Sequence, residues 1–543
     1  LVALVAAEGM VIIFWLILRD KHKAGIVTSA ILLALMWGWG ILETGINLVF
    51  PYVKALRPPI VYGAVVGFVS ILATVIFVAN RDNRRRAILN TAVFLGLIGV
   101  AALAVVLFFD RVFGVIASTS ILVYLALVTA GIVYLARCKR DFKPWTRTAN
   151  WFGVMLVALY VSLVVYNASR ETSVLPPPLE VSAEKTPAKE ALPDVYVFLV
   201  EGYARCDVLL KAYSYNDLPF LEPLHHMGVR FSPDAFSNYS WDMQSVAALL
   251  NMDYLDRLLP PEAADTSGPV PLRDLYRHNR FFQILGDHGY EIAAYSPGVQ
   301  ALEASPLVDR NLAPPQTLTE FETVLLNNTA IRRCLEIVYF AKGRYPSAWF
   351  RAFHRARIKY VFDSIGDVAA EDHSSPRLIF AHLTIPDMPF LFGRKGGWID
   401  PHSTKTVKEL YLDQVHYTGK RLARAVEEIS RRAKRPPVIV IVSSHGPAFL
   451  HTEEPTDPVA LAERFGVLLG MRYPKPETVG QVDPEMGKSL VNTLRSVLNR
   501  TVNADLRLLE DQAYLTAIEN PLDGTPVTIP MLETAVTPAL EAP

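Results

Sequence analysis

The chain has 543 residues, which is too many for one hydrophobic core and enough for two or three folded units. Its formal net charge is zero, so nothing in the charge balance suggests a nucleic acid partner. The three cysteines lie far apart and form no CxxC or Cys/His spacing, which argues against a disulfide framework and a cysteine zinc site. Hydrophobic residues make up 51% of the chain and are concentrated in its first third, which is typical of a membrane protein.

The first third predicts a membrane domain, residues 1–170, with about six transmembrane helices. Each apolar segment approaches the ~20 residues that cross about 30 Å of hydrocarbon. The segments are residues 1–18, 24–50, 60–80, 87–109, 112–136 and 148–168. Because Leu1 lies inside an apolar run with no Met or basic region before it, we expect the true N-terminus to lie upstream.

The charges of the loops predict the orientation of these helices. The loops at 19–23, 81–86 and 137–147 are rich in Lys and Arg, which favours the cytoplasmic side. Everything after the sixth segment then lies outside the cytoplasm. We therefore predict a multi-pass protein of the bacterial inner membrane, with membrane lipids as its surroundings and a large periplasmic or extracellular C-terminal domain.

The rest of the chain predicts a linker, a folded domain and a tail. Residues 171–193 are rich in Pro, Glu, Lys and Ala, as a semi-extended linker would be. In residues 194–520, buried strands at 195–200, 291–295, 377–383 and 437–442 alternate with helical patterns at 206–213, 281–288 and 410–432. This alternation predicts an α/β sandwich with a mostly parallel sheet. Residues 521–543 are rich in Thr and Pro and predict an irregular tail.

Polar residues follow three of the predicted strands. Glu201 follows the first strand, Asp387 follows the strand at 377–383, and Ser444 and His445 follow the strand at 437–442. A loop that leads into a helix contains Asp242, and either Ser240 or Asp242 is expected at the N-cap. Because the carboxyl ends of parallel strands meet at one edge of a sheet, these residues predict one site there.

At these elements the sequence resembles the membrane-anchored, sulfatase-like proteins of the alkaline phosphatase superfamily, of the lipoteichoic acid synthase and phosphoethanolamine transferase type. The resemblance covers roughly residues 193–516. It is carried by VFLVEGYARCDVL, SNYSWDMQSVAALLNMDYL, FAHLTIPDMPFLF with YLDQVHYTGKRL, and IVIVSSHGPAF. It implies an alkaline-phosphatase-like α/β/α sandwich and a sulfatase- or phosphotransferase-like function directed at phosphoesters of cell-envelope lipids or glycans.

The resemblance also implies a metal site, with substitutions. Glu201 matches the first carboxylate ligand of the family and His445 matches its late histidine. Asp242 stands where the family has a Thr nucleophile, Ser444 where it has an Asp ligand, and Asp387 where it has a second His. Glu201, Asp242 and His445 could still bind a divalent ion such as Mn, Mg or Zn.

These substitutions leave two hypotheses open. The first is an active metal-dependent phosphotransferase or hydrolase; the second is a catalytically inactive pseudoenzyme, with the metal retained or lost, whose fold serves as a binding module or membrane scaffold. A formylglycine-dependent sulfatase is not expected, since the Cys/Ser-x-Pro-x-Arg signature is absent. A transporter is disfavoured because the apolar segments carry few charges. His382 lies on an apolar strand and is interpreted as a core histidine.

Overall fold

A computed structural model of the chain describes Ser162 and residues 175–179, 192–259, 270–296, 298, 300–303, 305–315, 348–399, 403–449, 457–474, 487–517, 520 and 522–532. The chain divides into two compact units, residues 1–170 with 324–335 and residues 171–323 with 336–543. Apart from Ser162, the described residues belong to the second unit. The predicted membrane segments, again apart from Ser162, lie outside them. No helix within the described ranges combines the length and hydropathy that a membrane crossing requires.

A seven-stranded, mostly parallel sheet forms the centre of this unit. Its strands are β1 (Asp194–Glu201), β2 (Arg230–Phe231), β3 (Glu291–Tyr295), β4 (Arg310–Asn311), β5 (Arg377–Pro386), β6 (Pro437–Ser443) and β7 (Leu469–Arg472). They lie in the order β2-β7-β6-β1-β5-β3-β4. β1, β3, β4, β5 and β6 run parallel, whereas β7 pairs antiparallel with both β6 and β2. The four predicted strands are therefore confirmed.

Helices surround the sheet, and a small hairpin follows it. The helices are α1 (Cys206–Tyr213), α2 (Leu218–His226), α3 (Asp242–Asn251), α4 (Leu255–Leu258), α5 (Val270–Arg277), α6 (Arg280–Asp287), α7 (Gln300–Glu303), α8 (Ala348–Ala370), α9 (Val407–Arg432), α10 (Pro458–Phe465) and α11 (Leu490–Val502). A separate two-stranded sheet pairs β8 (Ala513–Leu515) with β9 (Thr525–Val527). β9 lies in the tail that the composition predicted to be irregular. The Thr- and Pro-rich sequence of the tail does not indicate a strand, but residues 525–527 pair with β8.

The predicted helix boundaries differ from the structure where a cap sets the end. α9 begins three residues before the predicted start because Thr406 and Glu409 form a capping box. The prediction that Ser240 or Asp242 caps α3 is wrong. Trp241 is the N-cap residue and Asp242 is the first helical residue, and no side chain caps the helix. The Ser240 hydroxyl instead accepts a hydrogen bond from the Thr516 backbone N–H at 2.9 Å.

Both faces of the sheet are buried, which gives the predicted three-layer sandwich. On β1, Tyr196, Phe198 and Val200 point to a core formed with α1, α2, α8 and α9. The alternate residues Val195 and Leu199 point to a second core formed with α3, α6 and α11. Successive side chains of a strand point to opposite faces, so the interiors of β1 and β6 are almost entirely apolar. Polar groups appear where these two strands end, and β5 adds His382 and Thr384 toward its carboxyl end.

Candidate metal centre

Three side chains from different elements bring ligand atoms together at the carboxyl edge of the sheet. Glu201 ends β1, His382 lies on β5 and Asp242 begins α3. One carboxylate oxygen or ring nitrogen from each lies within 4.8 Å of the others. The closest pair is Glu201 Oε1 and His382 Nε2, at 2.6 Å. Two carboxylates and an imidazole at this spacing are a donor set that divalent metal ions bind.

The register of the sheet explains why His382 belongs to this group. Leu199 of β1 is paired with His382 of the parallel strand β5, so both side chains point to the same face. Glu201 lies two residues after Leu199 and points the same way. His382 is buried, at 3% exposed, and both of its ring nitrogens have hydrogen-bond partners, as the interpretation of a core histidine predicts; its Nε2 also faces Glu201. The alternation of Leu378, Phe380 and His382 could have revealed this shared face.

His445 and Asp387 lie next to these three side chains. His445 Nε2 is 3.9 Å from Asp242 Oδ1 and 3.7 Å from Asp387 Oδ2. The structure thus brings together four of the residues that the sequence singled out, Glu201, Asp242, Asp387 and His445. Side-chain exposures of 14% for Glu201, 30% for Asp242 and 27% for Asp387 leave one side of the group open to solvent.

Hydrogen bonds from three segments fix the turn after β1. The Asp387 N–H donates to the Glu201 carbonyl at 2.9 Å, and the Tyr411 hydroxyl donates to the Gly202 carbonyl at 2.8 Å. The Ser443 hydroxyl accepts from the Tyr203 N–H at 2.9 Å. Because these bonds join the ends of β5 and β6 and helix α9 to the turn, the positions of Glu201 and Asp387 are set by the sheet itself.

The hydrogen bonds of the two imidazoles determine which nitrogens face the carboxylates. His445 Nδ1 lies 2.8 Å from the Gly446 carbonyl, so we assign its proton to Nδ1. The lone pair of Nε2 then points toward Asp242 and Asp387, an arrangement that a cation between them would stabilise. The hydroxyl of Tyr276 lies 2.8 Å from Nδ1 of His382. This contact orients the ring so that its Nε2 faces Glu201.

Burial and mutual repulsion shift the pKa values of these groups. Burial, together with the nearby Asp387 carboxylate, raises the pKa of Glu201 from 4.5 to about 8. Burial and the Glu201 carboxylate raise the pKa of Asp242, against the opposing effect of His445, His382 and the Ser444 hydroxyl. Burial lowers the pKa of both His382 and His445, which favours the neutral imidazoles that metals bind.

Two buried atoms lack a conventional hydrogen-bond partner in the described part of the site. They are Asp242 Oδ1 and the hydroxyl oxygen of Ser444. Buried polar atoms are almost always partnered, and an unpartnered carboxylate oxygen 3.9 Å from His445 Nε2 leaves a position that a cation could share with that nitrogen. The residues therefore fit a divalent cation, held by Glu201, Asp242 and His382 with His445 beside them. Ser444 could contribute only a neutral hydroxyl.

Arg464 of α10 is a site residue that the sequence did not reveal. It is 5% exposed, and its Nη1 donates to the Gly446 carbonyl at 3.0 Å and lies 3.2 Å from His445 Nδ1. Its Nε donates to the Ser240 carbonyl, and its guanidinium lies 5.4 Å from the ring centre of Trp241. Arg464 therefore joins the loop before Asp242 to the loop that contains His445. No local pattern in α10 indicates this role, since the contact partners lie far away in sequence.

The C-terminal segment holds the start of α3. The Trp241 indole N–H donates to the Thr516 carbonyl at 2.8 Å, and the Gln244 amide donates to the Ala517 carbonyl at 2.9 Å. The hydroxyls of Ser240 and Ser245 donate to the Tyr514 and Tyr239 carbonyls, respectively. These two serines therefore have structural partners and do not point into the group of ligands.

Comparisons with known proteins identify similar structures but no family. No protein-family model matches the chain, and no curated protein matches it. A zinc complex of the C-terminal periplasmic domain of EcEptC from Escherichia coli is 14% identical, with a TM-score of 0.42, over 66% of this chain and 98% of that chain. The integral membrane lipooligosaccharide phosphoethanolamine transferase A from Neisseria meningitidis is 13% identical, with a TM-score of 0.38, over 77% of this chain and 70% of that chain.

A third similar structure is a protein in the alkaline phosphatase superfamily from Vibrio parahaemolyticus. It is 9% identical, with a TM-score of 0.37, over 64% of this chain and 79% of that chain. The structures similar to this chain thus include phosphoethanolamine transferases and alkaline phosphatase superfamily proteins. Identities and TM-scores this low carry no argument about function, which depends here on the residues of the chain itself.

Proposed function

We propose that residues 194–520 form a divalent-metal-dependent domain that transfers or hydrolyses phosphoesters of cell-envelope lipids or glycans. The observation that carries this proposal is the convergence of Glu201, Asp242 and His382 with an unpartnered Asp242 oxygen at the carboxyl edge of the sheet. The predicted membrane segments support a location at the bacterial inner membrane, with this domain on the periplasmic or extracellular side. The motif resemblance supports the reaction class.

Each residue at the edge has a proposed role. Glu201, Asp242 and His382 hold the cation, and His445 contributes from beside Asp242. A bound divalent ion would supply Lewis-acid stabilisation of charge on a phosphoryl oxygen. Asp242 acts as a ligand in place of a threonine nucleophile, so we propose direct attack on phosphorus by water or an acceptor hydroxyl, without a phosphoenzyme. The new P–O bond forms as the P–O bond to the leaving alcohol breaks, and the leaving oxygen takes up a proton. Asp387, more exposed than Glu201, accepts the proton of that attacking group.

Metal content tests the ligand set. The purified full-length chain, saturated with Zn²⁺ or Mn²⁺ and dialysed, should retain about one divalent ion per chain in elemental analysis. His382→Gln should weaken retention by about 100-fold or more, because it removes a nitrogen ligand. His416→Gln is the matched control, since His416 lies on α9 with its Nδ1 3.3 Å from the Tyr215 hydroxyl. A correctly folded wild-type chain that retains no metal would contradict the proposal.

Turnover tests the reaction separately from metal binding. With bis-p-nitrophenyl phosphate as the probe, Asp387→Asn should lower kcat by about 10²–10⁴-fold while metal retention stays unchanged, since Asp387 is assigned to proton transfer. Asp363→Asn, at an exposed carboxylate that pairs with Arg421, is the control.

The second candidate is the pseudoenzyme. It is favoured by a specific observation: Ser444 cannot provide the charge of a carboxylate ligand, and the buried guanidinium of Arg464 supplies positive charge beside His445. A wild-type chain that retains metal but shows no more turnover than His382→Gln, with both this probe and a phosphoethanolamine lipid, would support this candidate over the enzyme.

A further inference from the structure

Exposed apolar side chains are concentrated just after Asp387. Of the five large hydrophobic side chains that are exposed in the described ranges, three lie in this region: Met388 at 58%, Trp398 at 43% and Val407 at 50%. Isolated exposed hydrophobic residues need no explanation, but a group of them beside a functional site often marks an interaction surface.

The same region is basic. Residues 388–399 and 403–408 contain Arg394, Lys395, Lys405 and Lys408 and no acidic residue of their own; with the flanking Asp387, Asp400 and Glu409, the stretch 387–409 carries four basic and three acidic residues. All four side chains are exposed. Lys405 pairs with Asp413, and Lys408 donates to the Ala212 carbonyl at 2.9 Å. The region therefore combines apolar and cationic groups.

Contacts with α9 assemble both segments into one surface. The Gln414 amide donates to the Asp387 carbonyl at 2.8 Å and accepts from the Phe392 N–H at 3.0 Å. The Phe392 ring is stacked on Tyr417 with 4.2 Å between centroids. Lys405 pairs with Asp413, one residue before Gln414. The two segments therefore lie against the same turns of α9, and we call residues 388–399 and 403–408 the basic rim.

The basic rim is held in a fixed conformation. The Arg355 guanidinium lies between Phe392 and Trp398, at 4.2 and 4.5 Å from their ring centres. It also donates to the Gly396 carbonyl at 3.0 Å. These contacts hold Trp398 while leaving nearly half of it exposed. A surface that is ordered before binding loses less conformational entropy when it binds.

We propose that the basic rim docks on an anionic phospholipid bilayer. Lys and Arg next to such a surface are attracted by its negative potential, and Trp is favoured at the level of the head groups, where one part of its ring system is apolar and its N–H is polar. Charge complementarity favours this occupant over an apolar protein partner. Because Met388 is adjacent to Asp387, docking would bring lipid head groups to the mouth of the metal centre. The inference extends the proposed function, but its test requires no turnover.

Amide hydrogen exchange of the full-length chain in lipid nanodiscs tests the docking. Exchange in residues 388–399 and 403–408 should be slower in nanodiscs that contain phosphatidylglycerol than in those of phosphatidylcholine alone. High salt should remove the difference, since surface electrostatics are screened. Arg394→Gln with Lys395→Gln should weaken docking by about fivefold for each residue, which corresponds to about 1 kcal/mol per charge.

The matched control is Arg431→Gln with Lys434→Gln. These exposed basic residues lie at the C-terminal end of α9, next to the start of β6 and therefore at the opposite edge of the sheet. The control should keep the full lipid-dependent protection. Equal exchange in both lipids would overturn the proposal. Protection by soluble glycerophosphoglycerol alone, or protection in phosphatidylcholine that resists both salt and charge removal, would also overturn it, by showing a head-group site or a protein contact instead.

Discussion

Arg464 shows how one buried side chain can hold two parts of a site. It donates to the Ser240 and Gly446 carbonyls and lies against His445 Nδ1, so it stabilises the loops on both sides of the metal ligands. Nothing in these contacts points into the open side of the site. We therefore regard Arg464 as a positioning residue and not as a catalytic one.

Arg464→Met should be strongly destabilising. It leaves the buried Ser240 carbonyl without its donor and removes one of the two donors to the Gly446 carbonyl, so we expect the free energy of unfolding to fall by about 3 kcal/mol. Metal affinity should fall by about 10–100-fold, because the orientation of His445 is lost. Thermal unfolding of the chain with and without Zn²⁺ measures both effects. Arg472→Met, which removes a half-buried guanidinium that donates to Ser430, should leave metal affinity unchanged.

The sequence could predict most of the site residues but not the residues that position them. Glu201, Asp387 and His445 were recognisable because each follows an apolar strand, and Asp242 because it begins a helix. His382 and Arg464 were not, since their roles depend on which strands and loops are neighbours. Strand pairing and long-range hydrogen bonds are properties of the folded chain, and a single sequence contains no local pattern for them.

At the scale of elements, the close approach of β1 and β5 depends on Gly202. This residue has a φ of +76°, and a Cβ added there would lie 2.8 Å from the Asp387 Cβ. Since the Asp387 backbone N–H also donates to the Glu201 carbonyl, one turn holds both Glu201 and Asp387. Only glycine satisfies both the backbone conformation and the space.

Gly202→Ala should therefore lower the free energy of unfolding by at least about 2 kcal/mol, from left-handed strain and from displacement of Asp387. Gly286→Ala on α6 is the matched control. A Cβ at Gly286 meets no atom within 4 Å, so this helical substitution should stabilise the chain by about 0.5–1 kcal/mol. The unfolding curves of the two variants should shift in opposite directions. If Gly202→Ala left the free energy of unfolding unchanged, the turn would be able to accommodate a Cβ.

The elements themselves were largely predictable, for a physical reason. The central strands are apolar at successive positions and the long helix α9 has an apolar stripe, so each could be identified from composition and period. Short edge strands such as β2 and β4, with two residues each, could not, since their pairing depends entirely on neighbours. β9 was missed for the same reason.

At the scale of the whole unit, buried acids outside the metal centre should make stability depend on pH. Asp217 is 1% exposed, and its Oδ2 has no hydrogen-bond partner among the described residues. Burial, with a smaller contribution from Asp207, raises the pKa of Asp217 from 3.8 to about 7. The folded state therefore keeps a proton that the unfolded chain loses between about pH 4 and 7, so stability falls as pH rises through this window.

Asp217→Asn removes this dependence. A shift of about three pKa units corresponds to roughly 4 kcal/mol, so the variant should be more stable than the wild type at pH 8 and of similar or lower stability at pH 4. Thermal unfolding of the full-length chain in detergent across this range measures the difference, with Asp363→Asn as an exposed control. If the unfolding temperatures of the wild type and of Asp217→Asn change with pH in parallel from pH 4 to 8, Asp217 does not titrate as described.

The contacts between Trp241, Gln244 and the segment at Thr516 and Ala517 also set an order of events in the cell. A chain is synthesised from its N-terminus, so all five parallel strands exist before this segment leaves the ribosome. Asp242 can be locked beside Glu201 and His382 only after the segment arrives. The centre is therefore completed by a segment that is made after all of the ligands, and a translation product interrupted between His445 and Thr516 would contain the ligands without a finished site.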